Sequence, residues 1–260
     1  MFAALLPALA FAAAAALAQN STSDVTQAFI HANLVPDVLP SFNPGGLLSV
    51  VYTNNATGGT IDVTPGKNLT VQDVLLRPQV SLTSDNSTLA NETFVLVLVD
   101  PDAPTPQNTS AAQIRHILAG GLRPNGSLAD GTLLVKSTPA VSDYLNPNPP
   151  AGSDPHRYTV LLYVQPENFD IEVSRFVNAS TPIFGFNVSV FAQELGLGSP
   201  VAGNFFIAGP ASNSSAAQSI TASSGASATT QSQSSSGLTS ASIRSIGIGL
   251  VIALRVVLIV

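Results

Sequence analysis

Two aspartates alternate with two prolines in Asp100-Pro101-Asp102-Ala103-Pro104, and two of the chain's three histidines follow at His116 and His156. Carboxylates and imidazoles bind, orient and exchange protons near neutral pH, so this spacing is where chemistry would begin. The run before the aspartates, Phe94-Val95-Leu96-Val97-Leu98-Val99, reads as a strand buried on both faces. Proline has no N–H for a sheet ladder, so the strand stops at Pro101 and opens its end. Asp100 and Asp102 would then lie at the strand's mouth and floor a pocket. The competing reading is a turn in which both carboxylates accept only neighbouring backbone N–H groups.

The histidines fall on strands of their own. Ile114-Arg115-His116-Ile117-Leu118-Ala119 has strand character, and strict alternation puts Ile114, His116 and Leu118 on one face. Residues 156–164 form the last long strand, with His156, Tyr158 and Val160 sharing a face and Arg157 opposite. A lone core histidine is usually structural. Two imidazoles, backbone N–H groups and a tyrosine hydroxyl, with a carboxylate behind one ring to set its tautomer, would make a small anion pocket. There is no G-x-S-x-G elbow, no H-E-x-x-H and no glycine-rich phosphate loop before a helix. With no cysteine, thiol nucleophiles, disulfides and Cys-based zinc sites are also excluded. The chain is therefore expected to be no enzyme and to need no cofactor or metal.

The elements that must position these residues are short. Ser23 and Asp24 can cap a helix running to Leu34, which Val35-Pro36 ends. Strands are expected over residues 47–53, 60–63, 79–82 and 94–99, with turns at Asn54-Asn55 and Gly58-Gly59. Residues 144–152 are a proline-rich loop, and residues 186–195 read as a helix ended by Gly196. Short strands with few helices predict a mainly β, mainly antiparallel domain.

Both ends read as processing signals. Residues 1–18 are almost wholly apolar and close on Ala16-Leu17-Ala18, the signature of a cleaved secretory signal peptide. Ten of the seventeen asparagines sit in N-x-S/T: Asn20, Asn55, Asn68, Asn86, Asn91, Asn108, Asn125, Asn178, Asn187 and Asn213. Chance would give about two or three, so the excess argues for a glycosylated secretory protein. Residues 19–210 are the folded domain. Residues 211–245 are a Ser/Thr/Ala-rich stalk too polar to fold, and residues 246–260 an apolar tail. Small residues at Ser235-Ser236-Gly237, a polar spacer and that tail fit a GPI-anchor signal with attachment at Ser235. A short tail anchor and simple secretion are the alternatives. With 15 acidic and 9 basic residues, the chain has no electrostatic footprint for nucleic acid or an anionic membrane.

These pieces resemble one family. Val35-Pro36-Asp37-Val38, the Asp100–Pro104 motif, Arg115-His116-Ile117-Leu118, Gly131-Thr132, Tyr144, Pro149-Pro150, Pro155-His156-Arg157-Tyr158 and Pro200-Val201-Ala202-Gly203-Asn204 are similar to the phosphatidylethanolamine-binding proteins. The resemblance implies a Greek-key antiparallel β-sandwich with a few short peripheral helices and an anion pocket at one end. It implies ligand contacts from Asp100, His116, Pro149, Pro150, His156, Tyr158 and Tyr144. Asp102, Pro104 and Arg157 would support the pocket, with Ala103-Pro104 cis; from its place opposite His156 and Tyr158, Arg157 is itself expected to pair with a buried acid, Asp102. Two departures stand out: Arg115 replaces the first of two adjacent histidines, and Ile114 replaces a tryptophan. The implied ligand is a phosphate-bearing small molecule or phospholipid headgroup. The other partner class is a secreted or vacuolar serine protease, and the GPI anchor would link the protein to the membrane.

Overall fold

The central strand is β5 (Phe94–Asp100), buried along its whole length. Its alternate residues serve two cores. Phe94, Leu96 and Leu98 point into a cluster with Leu48, Val50, Tyr52 and Tyr158. Val95, Val97 and Val99 face a second cluster with Phe29, Phe42 and Phe191. A continuous apolar run is what a strand covered on both faces requires. The structure, a computed structural model, describes residues 21–178 and 180–211. The segments expected as signal peptide, as stalk beyond residue 211 and as anchor signal, together with Asn20, Asn213 and Ser235, lie outside the described residues.

Among the described residues nine strands form one sheet in the order β2-β1-β4-β7-β6-β5-β8-β9-β3. They are β1 (Leu47–Thr53), β2 (Thr60–Asp62), β3 (Lys67–Leu69), β4 (Gln79–Thr83), β5, β6 (Ile114–Pro124), β7 (Thr132–Lys136), β8 (His156–Val164) and β9 (Ala202–Ala208). β7 pairs with both β4 and β6, so the sheet curls there and its halves face each other across the first core. Asn204 ties the halves by donating to the Leu48 and Val63 carbonyls at 3.0 and 2.9 Å. The fold is mainly β and sandwich-like, with one exception to antiparallel pairing: β3 runs parallel to β9.

The helices are peripheral: α1 (Thr22–His31), α2 (Leu34–Asp37), α3 (Phe169–Glu172) and α4 (Val188–Glu194). α1 is capped two residues earlier than expected and stops three residues sooner. Its cap is Ser21, whose Oγ accepts from the Asp24 N–H while Asp24 accepts from the Ser21 N–H, a reciprocal capping box. Asn33, in the left-handed region at φ 53°, turns the chain into α2 before Pro36 is reached. α4 begins at Val188 rather than residue 186, because Asn187 caps it by accepting from the Val190 N–H. Residues 183–186 instead run beside residues 111–115, with hydrogen bonds linking Gln113 to Phe186 in both directions and Arg115 N–H to the Ile183 carbonyl.

β6 extends five residues beyond the expected end and carries a correction that matters for the site. Leu98 pairs with Ile117 but Val99 pairs with Arg115, so His116 is the extra residue of a β-bulge. Strict alternation had grouped His116 with Leu118. The bulge breaks it: Ile117 joins the first core and Leu118 the second, while His116 packs edge-on against Tyr158. An inserted residue shifts every later side chain to the opposite face.

Candidate functional site

At one end of β5, β6 and β8 lies a cavity of about 290 Å³. Asp100, His116, His156 and Tyr158 line it together with Pro104, Ile114, Pro149 and Pro150. β5 brings Asp100 to its C-terminal end, the bulge aims His116, and the period of β8 places His156 and Tyr158 on one face. The loop of residues 144–152 supplies the prolines, and no backbone N–H of Pro149 or Pro150 competes for a ligand there.

The polar groups are almost wholly buried, with His156 1% and Asp100 2% exposed. His156 Nδ1 lies 2.8 Å from Asp100 Oδ2, and Asp100 Oδ1 accepts the Asp102 N–H at 2.8 Å. A carboxylate accepts only, so the His156 proton sits on Nδ1. Its Nε2 is 2.9 Å from Ser153 Oγ, whose single proton serves either this nitrogen or the Asp154 carbonyl 2.7 Å away. His116 Nδ1 is 2.7 Å from the Leu145 carbonyl, so this nitrogen also carries a proton. His116 Nε2 is buried and has no hydrogen-bond partner among the described residues. Burial, the largest influence, lowers the His116 pKa below the ordinary histidine value, while the Leu145 carbonyl and Asp100 act the other way. In the neutral ring Nε2 is therefore a bare acceptor, and it becomes a donor only on protonation.

Tyr158 stands between the imidazoles, its ring centroid 5.2 Å from that of His116 and 6.3 Å from that of His156. Burial first, and then the Asp100 carboxylate, push its hydroxyl far above the usual range, so it stays a proton donor. The cavity thus offers one hydroxyl and one imidazole nitrogen able to gain a proton. This donor set suits a small oxyanion.

Behind the cavity Asp102 is held by Arg157. The guanidinium Nη2 is 2.6 Å from Asp102 Oδ1, Nε is 3.0 Å from Oδ2, and the Arg157 N–H donates to the same Oδ2 at 2.7 Å. Arg157 Nη1 also donates to the Ala32 carbonyl at 2.7 Å and to Asp37 at 2.9 Å. This network anchors the β5 mouth, the start of β8 and the α1–α2 junction to one cation. The Ala103-Pro104 peptide is cis.

Tyr144, expected as a ligand contact, does not line the cavity. Its hydroxyl donates to the Val74 carbonyl at 2.6 Å and lies 3.4 Å from the Tyr52 hydroxyl, so the side chain is spent on the sheet core. Arg115 lies across the strand from the cavity. Its guanidinium sits over Phe186, 5.3 Å from the ring centroid, and reaches the Pro182 and Thr181 carbonyls at 3.3 and 3.5 Å. Sequence reasoning missed Ser153, Leu145, Asn146 and Asn148. Leu145 acts through its main chain and has no side-chain signature, whereas Ser153, three residues before His156, was open to discovery. Among the described residues no cluster of three or more His, Cys, Asp or Glu could hold a metal. All eight described sequon asparagines, at 55, 68, 86, 91, 108, 125, 178 and 187, are exposed.

A family model described as phosphatidylethanolamine-binding protein matches residues 40–206. The chain is 31% identical over 179 residues to the 26 kDa secreted antigen of Toxocara canis, a match covering 68% of this chain and 62% of that protein, less than two thirds of its length. It is 28% identical to the carboxypeptidase Y inhibitor of Saccharomyces cerevisiae, covering 73% of this chain and 98% of the inhibitor. The structure of that type of inhibitor complexed with its cognate proteinase superposes with a TM-score of 0.62 at 25% identity, over 74% of this chain and 98% of the other. A phosphatidylethanolamine-binding protein from Plasmodium vivax shares the fold, with a TM-score of 0.57 at 17% identity, over 72% and 97% of the two chains.

Proposed function

We propose that this chain, which belongs to the phosphatidylethanolamine-binding protein family, is a non-catalytic binding protein whose histidine cavity takes a phosphate-bearing headgroup. The observation that carries the reading is the buried His116 Nε2, unpartnered among the described residues in a cavity that Tyr158 also lines. A phosphate monoester supplies what that nitrogen lacks. As a monoanion it brings its own P–O–H, and as a dianion it draws a proton onto the ring. Family membership and the absence of a nucleophile motif support a binder over a hydrolase.

Titration with phosphoethanolamine while following thermal unfolding tests this. A ligand binding the native state stabilises it by about 2.7 kcal/mol at a hundredfold excess over Kd. An unfolding temperature that stays flat up to millimolar phosphoethanolamine overturns the reading.

The likeness to the carboxypeptidase Y inhibitor, which spans nearly all of that protein, favours a second reading: inhibition of a secreted or vacuolar serine protease. Peptide hydrolysis by carboxypeptidase Y that is unchanged under excess of this protein would remove it. Either role would be exercised outside the cytosol, at a cell surface through the GPI anchor or free in the extracellular space. The apolar first eighteen residues, the ten sequons and the eight exposed asparagines support that placement. Release of the protein from cells by a phosphatidylinositol-specific phospholipase C tests the anchor.

A further inference from the structure

A second cavity lies on the other face of β8. It measures about 520 Å³ and is walled by Leu39–Ser41 of the α2–β1 connection, by Val190 and Gln193 of α4, and by Gly196, Gly198, Ser199 and Pro200 of the α4–β9 loop. The walls are tied together, because Ser189 Oγ donates to the Val38 carbonyl at 2.8 Å. Among the described residues no charged side chain lines it. Tyr163 of β8, 0% exposed, contributes to the lining, and its hydroxyl is buried with no hydrogen-bond partner among the described residues. Burial pushes this hydroxyl well above its ordinary pKa, so it is held in the donor form.

Buried hydroxyls are nearly always paired, and an unpaired one beside a cavity is an exception that calls for a partner. The absence of lining charge disfavours an ion, since desolvating a charge there would meet no counter-charge. The size fits a drug-sized molecule, and a mostly apolar wall with a few placed polar groups, here the Tyr163 hydroxyl with Ser41, Ser189, Gln193 and Ser199, is the usual form of a small-molecule site.

We propose that this cavity is a second ligand site, separate from the histidine cavity, for an uncharged apolar molecule with one carbonyl oxygen that accepts from Tyr163. A ketone or an ester has this chemistry. The carbonyl orients on the hydroxyl, and the apolar body covers Leu39, Pro40 and the exposed flank of Val190.

Benzophenone and diphenylmethane form a matched pair that differs only in the carbonyl, and benzophenone cross-links to nearby C–H bonds on irradiation. Binding of both to the full chain would be measured by calorimetry, and the photoproduct mapped by peptide mass spectrometry. Benzophenone is expected to bind roughly tenfold more tightly, the fold-change of one net hydrogen bond, and to label residues 39–41 or 189–200. Tyr163→Phe, whose fold is checked by its melting curve, should keep the diphenylmethane affinity and lose the preference. His116→Ala should change neither. Equal affinities in the native chain, a preference surviving Tyr163→Phe, labelling confined to other segments, or no binding of either compound each overturns the proposal.

Discussion

His116 is the residue on which the proposed anion site turns, because its free nitrogen accepts or donates according to its charge. Burial holds its pKa below 6.5 in the free protein. A bound phosphate dianion stabilises the imidazolium and raises that pKa, so binding takes up a proton. Affinity is then greatest below the free-state pKa and falls as pH rises towards the ligand-bound value. The ligand-free protein shows the opposite slope. A histidine whose folded pKa is depressed contributes stability above its unfolded pKa of about 6.5 and loses it as pH falls towards the folded value. Thermal melts between pH 7.5 and 5.5 should therefore show a growing shift from phosphoethanolamine as the unliganded melting point drops. His116→Ala should weaken phosphate binding by about 1.5–3 kcal/mol, the range for a charge-assisted hydrogen bond. A His116→Ala protein that keeps both the native affinity and its pH slope would place the anion elsewhere.

At the scale of elements, the Asp102–Arg157 pair holds the β5 mouth, β8 and the α1–α2 junction together. Asp102 is 2% exposed, so Asp102→Ala leaves a part-buried guanidinium without its main partner. The expected loss is about 3–5 kcal/mol, the range for breaking one side of a buried ion pair, read from urea unfolding midpoints. Arg157 keeps Asp37 as a second partner, which puts the result towards the lower end. Gly203 in β9 makes a separate demand. A Cβ there would lie 2.9 Å from Phe42 Cζ, 3.1 Å from Phe29 Cζ and 3.2 Å from the Val160 carbonyl oxygen. These stacked rings fill the space between α1 and the sheet, so Gly203→Ala overpacks the second core. It should cost about 1–3 kcal/mol by the same unfolding measurement and leave phosphoethanolamine binding unchanged, since Gly203 is remote from the histidine cavity. Equal stability of the two proteins would show that α1 moves aside freely.

At the scale of the whole molecule, the acidic chain offers no broad positive field, so any anion is drawn in by the site alone. The eight exposed sequons spread from the β1–β2 turn to the cap of α4. Asn187 already uses its Oδ1 to cap α4, and Asn86 caps a 3-10 turn in the same way, while their amide nitrogens remain available for glycan attachment. Protein secreted from eukaryotic cells should shift to lower mass on enzymatic removal of N-glycans, and tryptic mapping should find Asn-to-Asp conversion at several of the eight positions. A mass that enzyme treatment does not change would mean that the sequons stand empty.

The central strand, the strand mouth and the alternation that joins His156 to Tyr158 were legible in the residues themselves. A six-residue apolar run, a proline stop and a two-residue period are local properties of the chain. The location of Arg157 opposite the cavity, and its pairing with a buried acid at Asp102, followed from the same period. The His116 bulge was not legible, since one extra residue in a ladder depends on how β5 and β6 are paired across thirteen intervening residues. β9 was likewise missed, because its Ala202-Gly203-Asn204 start lacks the bulk that marks a strand and is set by the tight approach of α1. Tyr144 looked like a pocket residue until Val74, seventy positions earlier, was found to accept its proton. Residue type and period thus determined which side chains carry chemistry. Which of them converge was decided by long-range contacts, whose energies depend on neighbours that no local pattern encodes.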